Sequence, residues 1–525
     1  MSMPHLNPTG PVGGAHPAVA RRRLGDFVLV AITGLVALVL ALVIATAVPQ
    51  PSATLTIAVV IGVLGIIYLL VNPRLEVTVT ILAVYLGCLD GPVKLFSGGG
   101  NATSALRDGL IFAVCLGAIL RHLATSRHTK LPPLSGWVLG FVAIVLLEAL
   151  NPNTSGTLKI LGGFRQQLEW IPFFFFGYLL VRSKPRLRKV FMLLALIAAA
   201  NALVSAYQVR LSPHQLAAWG PGYSEKVLGA NGISGTTFAS GGSGRVRPLG
   251  LGSDIGFGGA VGVIALPGAL ALLATSDPRR RWLFALACLG AVLAVGVSLS
   301  RTDVLGAVVT LAAFAALSFS VGRRVARPLA AVVVILALAL PLATVVTSTE
   351  GTAVFSRYSS IAGTQAASSS TGYKSVSLKQ IPIDIANAPF GFGLGTAGAA
   401  SSFGGRTTVT LEGHGFSSET EYNFIMNEVG LPGLALWVAF TVYLGSLVVR
   451  RLSKVEDLDV RLFLAAIFSV LAGLTVMGFA GAFSAGSAGG PYFWFAAGVA
   501  AYWLAGPGRA VGAQRSGAVR SGAVV

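Results

Sequence analysis

Long apolar runs alternate with short polar stretches along most of this chain. The runs last about 17–25 residues, the length an α-helix needs to cross roughly 30 Å of hydrocarbon. A membrane β-barrel would alternate residue by residue over short segments instead. The pattern predicts spans over 27–48, 54–71, 75–91, 106–121, 134–150, 166–181, 189–208, 252–274, 282–300, 303–320, 328–347, 430–449, 460–479 and 490–506. The expected fold class is all-α: a polytopic helical membrane protein of about fourteen transmembrane helices.

The runs divide the chain. Residues 1–26 read as a disordered tail, 27–208 as the N-terminal transmembrane helices, and 209–251 as a Gly/Ser-rich loop. A further helical block covers 252–347, a long loop 348–429, the last helices 430–506, and a tail 507–525. The run at 27–48 follows Arg21, Arg22 and Arg23 but outlasts the roughly 7–15 residues of a signal-peptide core, so it reads as a retained helix.

Composition agrees with this picture. The 525 residues are 54% hydrophobic and 11% charged, against roughly 25% charged for a soluble protein. A net charge of +19 raises the question of nucleic acid, but its placement answers it. Arginines and lysines fall on alternate sides of the runs: Arg74, Arg121 to Lys130, Arg182 to Lys189, Arg279 to Arg281, Arg323 to Arg327, Arg450 to Lys454, and Arg509. The positive-inside rule then puts both termini in the cytoplasm of a multi-pass plasma (inner) membrane protein, and both long loops outside. The implied partner is the lipid bilayer, with no nucleic acid. Cys88, Cys115 and Cys288 are too scattered for a disulfide framework, and the six histidines offer no metal constellation.

Ionisable residues are costly at mid-membrane, and this chain keeps most of them near the predicted outer ends of spans: Asp90, Arg107, Asp108, Glu148, Arg165, Glu169, Arg247, Asp254, Arg301 and Asp303. Arg301 lies in VSLSRTDVLG, a tight turn between two spans, and Arg245 and Arg247 lie in GRVRPLGLGSD at the same predicted depth. An interfacial arginine can simply snorkel to headgroups. Alternatively, guanidinium groups from two helix ends form a clamp for a diphosphate, whose oxygens match their planar fork. Such donors would stabilise a diphosphate leaving group as its bond breaks.

The densest acidic stretch, LEGHGFSSETEYNFIMNEVG, opens the run that follows the long loop. Ser417, Ser418 and Thr420 are candidate N-caps. Glu421 and Glu428 suit a helix N-terminus for electrostatic reasons alone. Glu419, Glu421 or His414 would also serve as a proton acceptor for a sugar hydroxyl. The GxGxxG match at Gly393 to Gly398 lacks a βαβ context and reads as a turn before the chain re-enters the membrane.

Taken in order, GRVRPLGLG, SLSRTDVLG, the long loop with IPIDIANAPFGFGLGTAG, and ETEYNFIMNEVGLPGL resemble the O-antigen ligase and polymerase superfamily. The resemblance covers about 245–440. It implies a GT-C-like helical bundle with a long extracytoplasmic loop, and a glycosyltransferase needing no cofactor, nucleotide sugar or metal. The implied donor is a polyprenyl-diphosphate-linked glycan, and the acceptor a glycan or lipid-linked hydroxyl. Arg247 and Arg301 would hold the diphosphate, with Arg245 and Arg165 as further candidates. Glu419 stands about where the ligases carry a histidine, with His414 as substitute. A flippase for lipid-linked oligosaccharides, or a non-catalytic scaffold, are the alternatives; the sequence shows neither the repeat nor the midplane charge expected of a carrier.

Overall fold

The computed structural model describes residues 53–98, 101–125, 131–154, 156–229, 237–238, 245–318, 364–402 and 420–506. The spans expected over 27–48 and 328–347, and the candidate residues His414 and Glu419, lie outside the described residues. Among those described, eight helices are long and apolar enough to cross a membrane, and two shorter apolar helices join them. The chain is a helical membrane protein by this measure, and the described residues do not confirm the expected fourteen spans.

The chain divides into two compact units, residues 1–78 with 109–130, and residues 79–108 with 131–525. In the first, helix α1 (Ala53–Val71) lies against the later part of α4 (Asn101–Thr125). Arg121 Nη1 donates to the Leu70 carbonyl at 2.9 Å, satisfying an acceptor that the end of α1 leaves open.

The second unit begins within α2 (Leu75–Val84), continues through one π-helical turn (Tyr85–Leu89) into α3 (Asp90–Phe96), and takes in the start of α4. Next come α5 (Ser135–Glu148), α6 (Thr157–Leu168), α7 (Pro172–Leu180) and α8 (Lys184–Gln208). The span expected over 166–181 therefore takes in the end of one short helix, α6, and all of a second, α7. Pro172 supplies no N–H and starts the second.

Two short helices follow, α9 (Pro213–Ala217) and α10 (Pro221–Leu228), inside the stretch read as a loop. Ser212 and Gln215 form a reciprocal capping box around Pro213, so α9 is encoded locally. A two-residue ladder, β1 (Thr237–Phe238) with β2 (Arg245–Val246), precedes α11 (Phe257–Thr275), α12 (Arg281–Val297) and α13 (Arg301–Ser318). The long loop contains α14 (Thr364–Asn387). The remaining helices are α15 (Glu421–Arg451), α16 (Leu458–Met477) and α17 (Gly489–Trp503).

Helix α11 is the centre of this unit, with 83% of its apolar window buried. Its glycines make close packing possible: Gly262 faces Ala291 and Ala294 on α12, and Gly268 faces Phe191 on α8. Gly177 on α7 and Gly498 on α17 likewise face each other's backbones. An aromatic cluster of Phe141, Trp437, Phe440, Phe493 and Trp494 joins α5, α15 and α17.

The two ends of the bundle differ chemically. At one end, Lys184 pairs with Asp459, Arg188 Nη2 donates to Ser276 at 3.0 Å, and Arg451 Nη1 donates to the Leu504 carbonyl at 2.8 Å. At the opposite end lie the C-termini of α8, α12 and α16 and the N-termini of α11, α13 and α15. Gly306 against Met477, and Glu421 against Gly478, fix that grouping.

Candidate functional site

Two groups of charge occupy this second end. The first is a buried ionic cluster. Arg107 on α4 grips Glu169 with two nitrogens, at 2.6 and 2.9 Å, and lies 3.5 Å from Asp90 and 3.8 Å from Asp108. Arg165 on α6 pairs with Asp108 at 2.7 Å. The Arg107 guanidinium also stacks 5.2 Å from the Trp170 ring, a favourable cation–π placement. Five of the charges read as lying at helix ends thus converge, and they compensate one another. Arg165, a candidate diphosphate ligand, is engaged here by Asp108.

The second group is Arg247 and Arg301. Arg247 precedes Pro248 in the segment leading to α11, and Arg301 is the first residue of α13. Burial, and then the like charge of Arg301, hold the Arg247 guanidinium below arginine's ordinary pKa. Two separate elements therefore bring two cations near enough for the charge of one to act on the other. Arg301 also stands at the positive end of the helix dipole, where a cation is disfavoured. Both features raise the local positive potential. Arg245 lies on β2, paired with Phe238.

Local structure fixes this pair in place. The Gln208 side chain accepts from the Leu249 and Gly250 N–H groups at 3.0 and 2.8 Å, and donates to the Gly250 carbonyl at 3.1 Å. One helical face further back, Asn201 accepts from Leu251 N–H and donates to the Gly87 carbonyl, both at 2.9 Å. These two amides pin the segment just after Arg247. On the other side, Leu299 adopts a left-handed φ of 54° in the turn before Arg301, an uncommon conformation for a branched apolar residue. Asp303 is buried beside Gly256 and Gly259, which seals the start of α13 to the start of α11.

The acidic stretch folds as a helix start. Thr420 is the N-cap, its hydroxyl accepting from Asn423 N–H at 3.2 Å. Glu421 is completely buried, and one carboxylate oxygen accepts from Ser484 N–H at 3.0 Å. Its own N–H donates to the Gly478 carbonyl at 2.8 Å, so this residue ties α15 to the segment between α16 and α17. Among the described residues its second oxygen, Oε1, is buried without a hydrogen-bond partner.

The GxGxxG stretch is a wrap around a break in α15. Gly430 stands at φ 63°, ψ −169°, a region essentially reserved for glycine. The break frees backbone groups that the loop satisfies: Phe392 N–H donates to Asn427 carbonyl at 2.7 Å, and Leu431 N–H to Pro389 carbonyl at 2.8 Å. Glu428 then accepts from Gln167 at 3.0 Å, Ala397 N–H at 3.2 Å and Gln166 at 3.3 Å. Glu428 and the glycines hold the N-terminal part of α15 together.

No family model, curated protein or solved structure matches the chain. What the site can do must be argued from its own residues.

The sequence reading did not single out Asn201, Gln208, Gln166 or Gln167. Their signal was available: each is an amide in or beside a predicted span, where an unpaired polar group is costly and so needs a partner. Asn201 and Gln208, seven residues apart, share one helix face.

Proposed function

We propose that this protein is a membrane glycosyltransferase acting on a polyprenyl-diphosphate-linked glycan, similar to O-antigen ligases and polymerases, at the outer face of the plasma membrane. The observation that carries the reading is that Arg247, in the segment before α11, and Arg301, the first residue of α13, lie near enough for the charge of the second to act on the first. A diphosphate bound there would supply charge and geometry for both guanidinium forks. In this reading an acceptor hydroxyl attacks the anomeric carbon and the bond to the diphosphate oxygen breaks. The electron pair leaves with the diphosphate, where the arginines neutralise it. The hydroxyl proton passes to Glu419 or His414. Glu421, the third candidate acid, orders the helix start that follows them.

Protein reconstituted in vesicles with a lipid-linked glycan tests this. Arg247→Ala and Arg301→Ala abolish glycan transfer while insertion is unchanged, and Glu419→Gln alters the pH–rate profile. Full transfer by both arginine variants refutes the proposal. Movement of the lipid-linked glycan across the bilayer without a new glycosidic bond identifies a flippase instead.

A further inference from the structure

Between α8 and Arg247 the chain builds a small shelf whose aromatic edge continues the lipid-facing side of α8. Met192, Leu196, Leu203 and Tyr207 are exposed on α8 at 37%, 69%, 74% and 57%. Their spacing puts all four on one helix face, the face a spanning helix turns to acyl chains. Tyr207 ends that stripe, and Trp219 stacks on it at 6.0 Å with planes 21° apart. Tyr223 then meets Trp219 edge-on at 5.4 Å, and Phe96 meets Tyr223 at 5.4 Å. Phe96, at the far end of the row, is again exposed.

The shelf itself is two helices of five and eight residues, too short to cross a bilayer at about 1.5 Å per residue. Its underside is a closed apolar core of Leu95, Leu216, Tyr223, Val227, Val246 and Leu249. Gly220 and Gly222 let its backbone rest directly on Leu95 and Phe96 of α3. Its other side is polar, with His214, Gln215, Glu225 and Lys226 exposed. An element with one apolar aromatic edge, one polar side and no capacity to span belongs at the boundary of lipid and water, where amphipathic rings are most stable.

We infer that the α9–α10 shelf lies in the lipid headgroup layer, with Tyr207, Trp219 and Phe96 contacting the bilayer surface. Val246 belongs to the shelf core and is bonded directly to Arg247. The depth of the shelf therefore sets the depth of the backbone at Arg247. The inference needs only the membrane character of the chain and stands whether or not the protein transfers glycans.

Tryptophan quenching in phosphatidylcholine vesicles tests it on the full chain. The emission difference between the native protein and Trp219→Phe isolates Trp219. Lipids brominated near the headgroup end of the acyl chain remove most of that difference, whereas aqueous iodide and lipids brominated near the chain terminus remove little. A nitroxide placed through Ala218→Cys reads the same depth without disturbing the aromatic row. Quenching mainly by iodide, which would mean a solvated shelf, overturns the inference. Quenching mainly at the chain terminus, which would mean immersion in hydrocarbon, also does so. So does insensitivity to all three, as when a second copy of the chain covers the edge.

Discussion

Arg107 and Arg247 lie at the same end of the second unit, yet the molecule treats their charges in opposite ways. Arg107 is surrounded by Glu169, Asp90 and Asp108, with Trp170 against its face. Arg247 has the like charge of Arg301 for a neighbour. A compensated buried cation is architecture, because removing it strands its partners. Two like charges near one another repel, and on the proposed function a bound anionic donor would relieve that repulsion. On the proposed function, the contrast separates charges that hold the helices in place from charges that meet a ligand.

The largest effect is expected in the cluster. Arg107→Met leaves three carboxylates near one another without their main counter-charge. Breaking a buried pair in this way costs about 3–5 kcal/mol, read as a large fall in thermal stability of the purified protein. Arg107→Lys restores charge but not the two-pronged grip on Glu169, and recovers only part of the loss. If Arg107→Met is as stable as the parent, the cluster is not architectural and the contrast fails.

A smaller loss is expected at the support of the second group. Gln208→Leu strands the Leu249 and Gly250 N–H groups and the Gly250 carbonyl. Unsatisfied buried groups cost about 1–3 kcal/mol. Because the freed segment carries Arg247, transfer activity falls further than stability alone explains. Equal falls in both would reduce Gln208 to a packing residue.

The smallest stability effect is expected in the cation pair itself. Arg247→Met and Arg301→Met each relieve a like-charge repulsion, and shift unfolding by less than about 1 kcal/mol in either direction, the range of partly exposed charges. A collapse of stability in either variant would place that arginine with Arg107, in the architecture.

How much of this was legible in the sequence depended on the kind of signal. Apolar periodicity marked most described spans because hydrocarbon thickness imposes one length on them. It missed α9, α10 and α14, which lack long apolar runs; α9 is held by its capping box, and α9 and α10 by the apolar core beneath them. It also missed most of α6 and joined its last three residues to α7, since the break at Glu169 to Ile171 leaves mean hydropathy high. The arginines at 247 and 301 were readable as sharing one level, and the structure adds that the charge of one acts on the other. The ionic cluster was not readable as a unit: Arg107 and Glu169 are 62 residues apart and only the packing of α4 against the α6–α7 corner unites them. The role of the GxGxxG glycines follows from Gly430 and Pro432 breaking α15, a relation that no spacing within the loop reveals.

Affinity for a polyprenyl-diphosphate-linked glycan, measured on the reconstituted parent, Arg247→Met and Arg301→Met, tests the central claim most directly. Each substitution weakens binding at least about tenfold, the scale of one lost charge-assisted hydrogen bond of about 1.5–3 kcal/mol. Parental affinity in both variants would contradict a diphosphate held between the two arginines.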